Sequence, residues 1–329
     1  MKVRVCVLAA AAAVAVASPA RAQQDARCSD PAVVGVGLEG GDACQKVVDL
    51  YRYMGVQLGT LVAGGNATLA QGGAMGGLGH FAIGVRANAM RAGIPDVERT
   101  GVGIGPAVSS DIPVNDKWAA LPVVDASIGI FKGIPLGITN VGGIDALVSV
   151  AYLPDVSSGS VKVSTPDGAL KFGYGARLGI LQETALVPGV SLTWIRRDLP
   201  KTTVTAVASP TRSVTIQDLE AKTTAWRLVA SKNLLVFGFA AGVGQDKYDT
   251  RAALTYDVDG NTPSGGPFAL DVSPTRTNVF GDLSLNLAVI KIVGELGRVS
   301  GGDVTTFNTF DKGASDPRWY GSVGVRVGF

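Results

Sequence analysis

The residues best suited to chemistry are charges that recur on one side of alternating segments. Arg86, Lys171, Arg177, Arg197, Arg227, Lys291 and Arg326 share that side with Asp125, Asp145, Asp282 and Glu295. Side chains at a period of two lie on one face of a strand. The set therefore forms a common face with seven cations against four anions. A charge withdrawn from bulk water must be paired or hydrated. Two readings stay open: an ion-pair network that closes an interior, and a cation-lined passage that favours anions.

Other reactive chemistry is sparse. Cys28 and Cys44 are the only cysteines after residue 22 and predict one disulfide in an oxidising compartment. Neither suits nucleophilic catalysis, because the single histidine, His80, is far away in the chain. A hydrolytic site would need His80 beside Asp or Ser from other segments. The simpler reading is a hydrogen-bonded histidine at a strand end. One His and three Cys exclude most His/Cys-built zinc sites, so no metal, cofactor or enzymatic activity is expected. Gly35-Val36-Gly37-Leu38-Glu39-Gly40 matches the dinucleotide fingerprint, but no βαβ alternation follows, and it reads as a loop. A net charge of +2 supplies no basic footprint for nucleic acid.

The elements that must position these residues follow from composition and period. The 329 residues include 44 Gly, and 17% are charged, against about 25% in ordinary soluble domains. Mean hydropathy is +0.29. Met1–Ala22 has a basic start (Lys2, Arg4), an apolar run (Val5–Ala17) and an Ala20-Arg21-Ala22 cleavage site. Residues 1–22 therefore read as a secretory signal peptide. Residues 23–79 read as an N-terminal periplasmic or plug-like segment. Asp42 and Gln45 suggest a capping box for a helix over 43–54, while 54–62 fits helix or strand. Beyond the signal no apolar run is long enough to span a bilayer as a helix.

Over residues 80–329 the period becomes two. Ten segments alternate apolar with polar or Gly: 81–89, 124–130, 144–152, 172–180, 190–194, 226–230, 237–243, 279–287, 290–296 and 323–329. Ser231-Lys232-Asn233, Ala288–Ile290 and Glu183–Pro188 read as short turns. The stretches 154–168, 199–221, 247–274 and 299–317 read as long loops. Trp118, Tyr152, Trp194, Trp226, Trp319 and Tyr320 sit near strand ends, as in interfacial girdles. Short turns at one end and long loops at the other predict an all-β, closed antiparallel transmembrane β-barrel of about ten to twelve strands, fourteen at most.

The last strand carries a more specific pattern. Ser322-Val323-Gly324-Val325-Arg326-Val327-Gly328-Phe329, with Ser322, Gly324, Val327 and Phe329 at its key spacings, resembles the C-terminal β-signal of Gram-negative outer-membrane β-barrels. The resemblance implies the outer membrane as location. It implies membrane lipid and the barrel-assembly machinery as partners, the latter engaging the strand's open edge. The order of helix, Gly/Ala-rich stretch and first strand also resembles the outer-membrane transporters of fatty acids and aromatic hydrocarbons, whose N-terminal segment plugs the lumen. Gly64–Gly79 would be the matching stretch. The Asn-Pro-Ala kink of that family is absent, and ten strands are fewer than it has. That likeness implies a passive channel or transporter for small molecules, hydrophobic ones among them. The alternatives are a sealed structural barrel whose long loops bind partners, and a membrane-embedded hydrolase.

Overall fold

The computed structural model describes residues 23–34, 39–258 and 265–329. The proposed signal peptide and residues 35–38 of the glycine motif lie outside them. Ten strands close a barrel: β1 (Phe81–Pro95), β2 (Val114–Phe131), β3 (Gly143–Tyr152), β4 (Leu170–Leu181), β5 (Gly189–Asp198), β6 (Arg212–Leu234), β7 (Phe237–Asp257), β8 (Thr275–Leu287), β9 (Ile290–Ser300) and β10 (Arg318–Gly328). Each pairs antiparallel with the next, and β10 returns to β1 through Ala82↔Gly328, Val85↔Val325 and Met90↔Tyr320. Closure leaves no unpaired barrel edge. Four shorter strands extend the sheet to fourteen at the long-loop end. Gly265–Val272 adds to β7, Thr202–Ser209 to β6, and Val161–Ser164 and Val156–Ser158 follow outward.

The alternation separates two environments. On β1, Phe81, Ile83 and Val85 face out, while Gly84, Arg86 and Asn88 face in. The outer surface is an apolar belt whose members include Phe172, Leu228, Val279, Leu296 and Val323. A continuous apolar surface of this kind is a lipid-facing one. Trp118, Tyr152, Trp194, Trp226 and Trp319 are exposed on it. Tyr320 is not part of the girdle: one residue beyond Trp319, it points inward and is buried.

Two expectations about connections need correction. Ser231, Lys232 and Asn233 are not a turn; they pair with Ala240, Phe239 and Gly238. The turn is Leu235-Val236, with Leu235 in the left-handed region at φ 55°. Two apolar residues carry no turn signature, which hid it. Residues 212–221 and 247–257 are not loops but the outer ends of β6 and β7. Above the lipid the outer face meets water, while the inner face stays apolar: Leu219, Ala252, Leu254 and Tyr256 join one buried cluster. Gln245, Lys247, Asp249 and Arg251 stand on the outside there, so the outward positions no longer carry the apolar pattern of the lipid-facing stretch.

The N-terminal segment runs through the barrel. Helix α1 (Gly40–Ala63) continues past residue 54, so helix prevails over strand for 54–62. Barrel wall surrounds it, and it is buried on nearly all sides. Its start lies among the long loops. Glu39 pairs with Arg212 at 2.9 Å, and Tyr256 donates to the carbonyl of Gly40 at 3.0 Å. Asp42 does not cap the helix: the N-cap is Glu39, without a side-chain cap bond. The Asp42 carboxylate instead accepts from the amide of Val108 at 3.3 Å and pairs with Lys46. Gln45, rather than completing a capping box, accepts from the amide of Asp25 at 2.7 Å. Cys28 and Cys44 are joined by a disulfide, Cα–Cα 5.4 Å, which ties the incoming chain to the second turn of α1. Past Ala63 the chain descends to His80 at the short-turn end. Gly77 crosses so close to Gly129 that a Cβ on Gly129 would collide with its backbone. The chain therefore enters the barrel at the long-loop end and begins β1 at the opposite mouth.

Candidate functional site

The last carbonyls of a helix lack intrahelical donors, and they form its negative pole. In α1 they meet three guanidinium groups from three separate strands. Arg86 on β1 donates to the carbonyl of Gly64 at 2.9 Å. Arg197 on β5 donates to Ala63 at 3.1 Å and to Gly65 at 3.4 Å. Arg227 on β6 donates to Ala63 at 2.6 Å and to Gly65 at 3.3 Å. All three side chains are buried. Two are balanced by carboxylates: Arg86 by Asp125, and Arg227 by Asp246 at 3.1 Å. The Arg227 guanidinium also lies 5.4 Å from the Phe280 ring centroid. The hydrogen bonds of Arg197 go to the helix end itself. Gly65, at φ 76°, has no room for a Cβ beside Arg86 and Asn88.

The descending segment is held further down. Asp145 pairs with Arg177 at 2.7 Å and accepts from the Met75 amide at 3.0 Å. Glu295 accepts from the Asn66 amide and from the Tyr320 hydroxyl, both at 2.8 Å. Asp282 is the direct cross-strand neighbour of Glu295. The amide of Gly72 donates to Ser231 at 2.8 Å. Lys291 and Arg326 lie lowest, toward a polar vestibule of about 630 Å³ at the short-turn mouth that His80 also lines. Among the described residues the His80 ring makes no hydrogen bond to Asp or Ser, and no group of three metal-ligating side chains comes together.

The charged face thus gathers around the plug, with one exception. Lys171 has inward parity but sits at the outer end of β4, exposed, and is not a lumen charge. Of the C-terminal pattern, Ser322 and Gly324 face in, Val327 faces the lipid side, and Phe329 packs its ring 5.4 Å from that of Phe81. A Cβ on Gly324 would lie 2.8 Å from the Cβ of Arg86 and 2.9 Å from Leu69 of the plug. Asp246, Asn278 and Tyr320 complete the network and were missed by the sequence reading. Asp246 lies just past Val243, the last apolar residue of its alternating segment. Continuing the period of two from Gly244 to Asp246 would have found it.

At the long-loop end, Asp25 accepts from Arg27 at 2.9 Å and from Arg52 at 3.0 Å. The Arg27 hydrogen bonds hold its carboxyl below the usual carboxylate range, against the opposing effect of burial. A second recess of about 530 Å³, lined by Gln23, Arg52, Asp271 and Asp303, opens beside it.

No protein-family model matches the sequence, and comparison with curated proteins finds no match. Among solved structures, the chain is similar to the translocator domain of the autotransporter NalP from Neisseria meningitidis. The two are 10% identical over 76% of this chain and 87% of that one, with a TM-score of 0.39. It is similar to a deltaS2S3 mutant of the TodX monoaromatic hydrocarbon channel at 10% identity, 82% and 74% coverage and a TM-score of 0.34. The toluene transporter TbuX of Ralstonia pickettii gives 10% identity, 90% and 96% coverage and a TM-score of 0.24.

Proposed function

We propose that this protein is an outer-membrane barrel closed at rest by its own N-terminal helix, and that small solutes pass when the helix end leaves its arginine clamp. The apolar outer belt, the secretory leader and the C-terminal pattern support the location. In that pattern Ser322, Gly324, Val327 and Phe329 would serve the assembly machinery. The long-loop end then faces the exterior, and with it the entry of α1. A tag placed after Gln23 would be labelled on intact cells; labelling only after permeabilisation would reverse the orientation.

The convergence of Arg86, Arg197 and Arg227 on three consecutive carbonyls carries the reading. Hydrogen bonds to neutral carbonyls exchange more readily than carboxylate pairs. The clamp is thus a releasable contact within an otherwise fixed wall. Planar-bilayer recording tests it. The wild type should be closed for most of the time, and Arg197→Gln/Arg227→Gln should show frequent openings. A correctly folded double variant that never conducts would favour the alternative, a sealed structural barrel.

A further inference from the structure

Lys291 on β9 and Arg326 on β10 are direct cross-strand partners, and both point into the short-turn vestibule. Side chains so placed start roughly 5 Å apart, and like charges there repel. Arg86, Arg177 and Arg227 meet carboxylates, and Arg197 meets the clamped helix end. The hydrogen bonds of these two cations go to neutral acceptors, at long range for the most part. Lys291 donates to the Ala70 carbonyl and the Asn233 side chain, each at 3.3 Å. Arg326 donates to the Thr68 carbonyl at 3.4 Å and to the Met75 sulfur at 3.0 Å. Glu183, also in the vestibule, is turned to the wall: its oxygens accept from Ser231 and from the backbone and side chain of Asn233.

We infer that the vestibule binds a phosphate-type oxyanion between Lys291 and Arg326, entering from the short-turn side. An oxyanion there would relieve the repulsion between the two cations and accept charge-assisted hydrogen bonds from both. The vestibule, at about 630 Å³, is of the size that holds small organic ligands. Because both cations also donate to plug carbonyls, Lys291 to Ala70 and Arg326 to Thr68, an occupied site would draw their donors away from it.

Calorimetric titration of the full chain in uncharged detergent, with inorganic phosphate as the probe, tests this. Saturable binding at one site is expected. It should weaken at least tenfold in Lys291→Gln and in Arg326→Gln, and stay unchanged in Lys171→Gln, whose charge lies at the other end. Arg326 sits in the C-terminal pattern, so Lys291→Gln decides the matter if the Arg326 variant does not fold. Repeating the titration in micelles doped with phosphatidic acid separates two sources. Unchanged phosphate binding identifies a soluble ligand, and competition by the lipid identifies a headgroup. Heats that never saturate, or a Lys291→Gln protein that binds as the wild type does, would overturn the inference.

Discussion

The guanidinium of Arg227 donates to the carbonyl oxygen of Ala63 at 2.6 Å while pairing with Asp246 at 3.1 Å. One side chain thus joins the end of the plug helix to the barrel wall. Its removal should differ in a defined way from that of its neighbour Arg197. Arg227→Ala strands Asp246 in the interior with Asn278 as remaining support, a loss on the order of 3–5 kcal/mol for a broken buried pair. Arg197→Ala gives up bonds to carbonyls, about 1.5–3 kcal/mol. The midpoint of the heat-induced gel shift should fall further for Arg227→Ala. Equal midpoints would mean that Asp246 does not depend on Arg227.

The disulfide should matter to the plug and not to the barrel. It closes a separation of 16 residues at the long-loop mouth, and loop-closure entropy assigns it about 3 kcal/mol. Cys28→Ser should leave the heat shift of the barrel in place, since the closed ladders do not pass through it. Proteolysis within residues 23–46 should quicken. Loss of the folded band in Cys28→Ser would contradict this division.

The register of the last strand predicts opposite outcomes at adjacent positions. Val327 pairs with Ile83 and Ile290 on the lipid side, where Arg costs about 2–4 kcal/mol near the midplane and less toward the interface. Arg326 faces in and loses two weak contacts on truncation. Val327→Arg should insert poorly, and Arg326→Ala should give a folded band. The reverse result would mean a slip by one residue, exchanging the faces of β10.

The strap at Gln23–Ser29 should be sensitive to acid. The carboxyl of Asp25 titrates below its ordinary value in the folded protein because Arg27 and Arg52 favour its charged form. Its contribution is therefore complete above the unfolded value of about 3.9 and is lost as pH falls through the lower folded value. Hydrogen exchange in the peptide covering this strap, corrected for intrinsic rates, should accelerate below about pH 4 and stay flat between pH 5 and 8. Asp25→Asn should show the fast exchange already at neutral pH. A flat profile down to pH 3 would remove Asp25 from the anchor.

The alternating segments were legible in the sequence because lipid on one side and a crowded interior on the other impose a strict period of two. All ten appear as barrel strands. The outer reaches of β6 and β7 were not, because water replaces lipid there and the apolar residues, Leu219, Ala252 and Leu254 among them, move to the inner face. The Leu235-Val236 turn was hidden for a related reason: its residues are those of a strand. Cys28 and Cys44 announced their pairing, being the only cysteines after residue 22. The arginine clamp was half visible. Arg86, Arg197 and Arg227 stood out as inward charges, but what brings the three together is a set of backbone carbonyls, which no side-chain pattern encodes. Asp42 and Gln45 mimicked a capping box because long-loop amides and the strap, which are distant in sequence, claim them instead.

The most direct test of the threaded plug is a designed cross-link between α1 and β7. A Cβ built on Gly55 would lie 3.8 Å from the Cβ of Thr250, within the roughly 3.5–4.5 Å that a disulfide requires. Gly55→Cys/Thr250→Cys, made in a background with Cys28→Ser and Cys44→Ser and with the clamp opened by Arg197→Gln/Arg227→Gln, should oxidise spontaneously. Bilayer recording should then show closed barrels that begin to conduct when reductant is added. Free, alkylatable thiols at both positions, or conductance unaffected by the cross-link, would contradict a helix that occupies and seals the lumen.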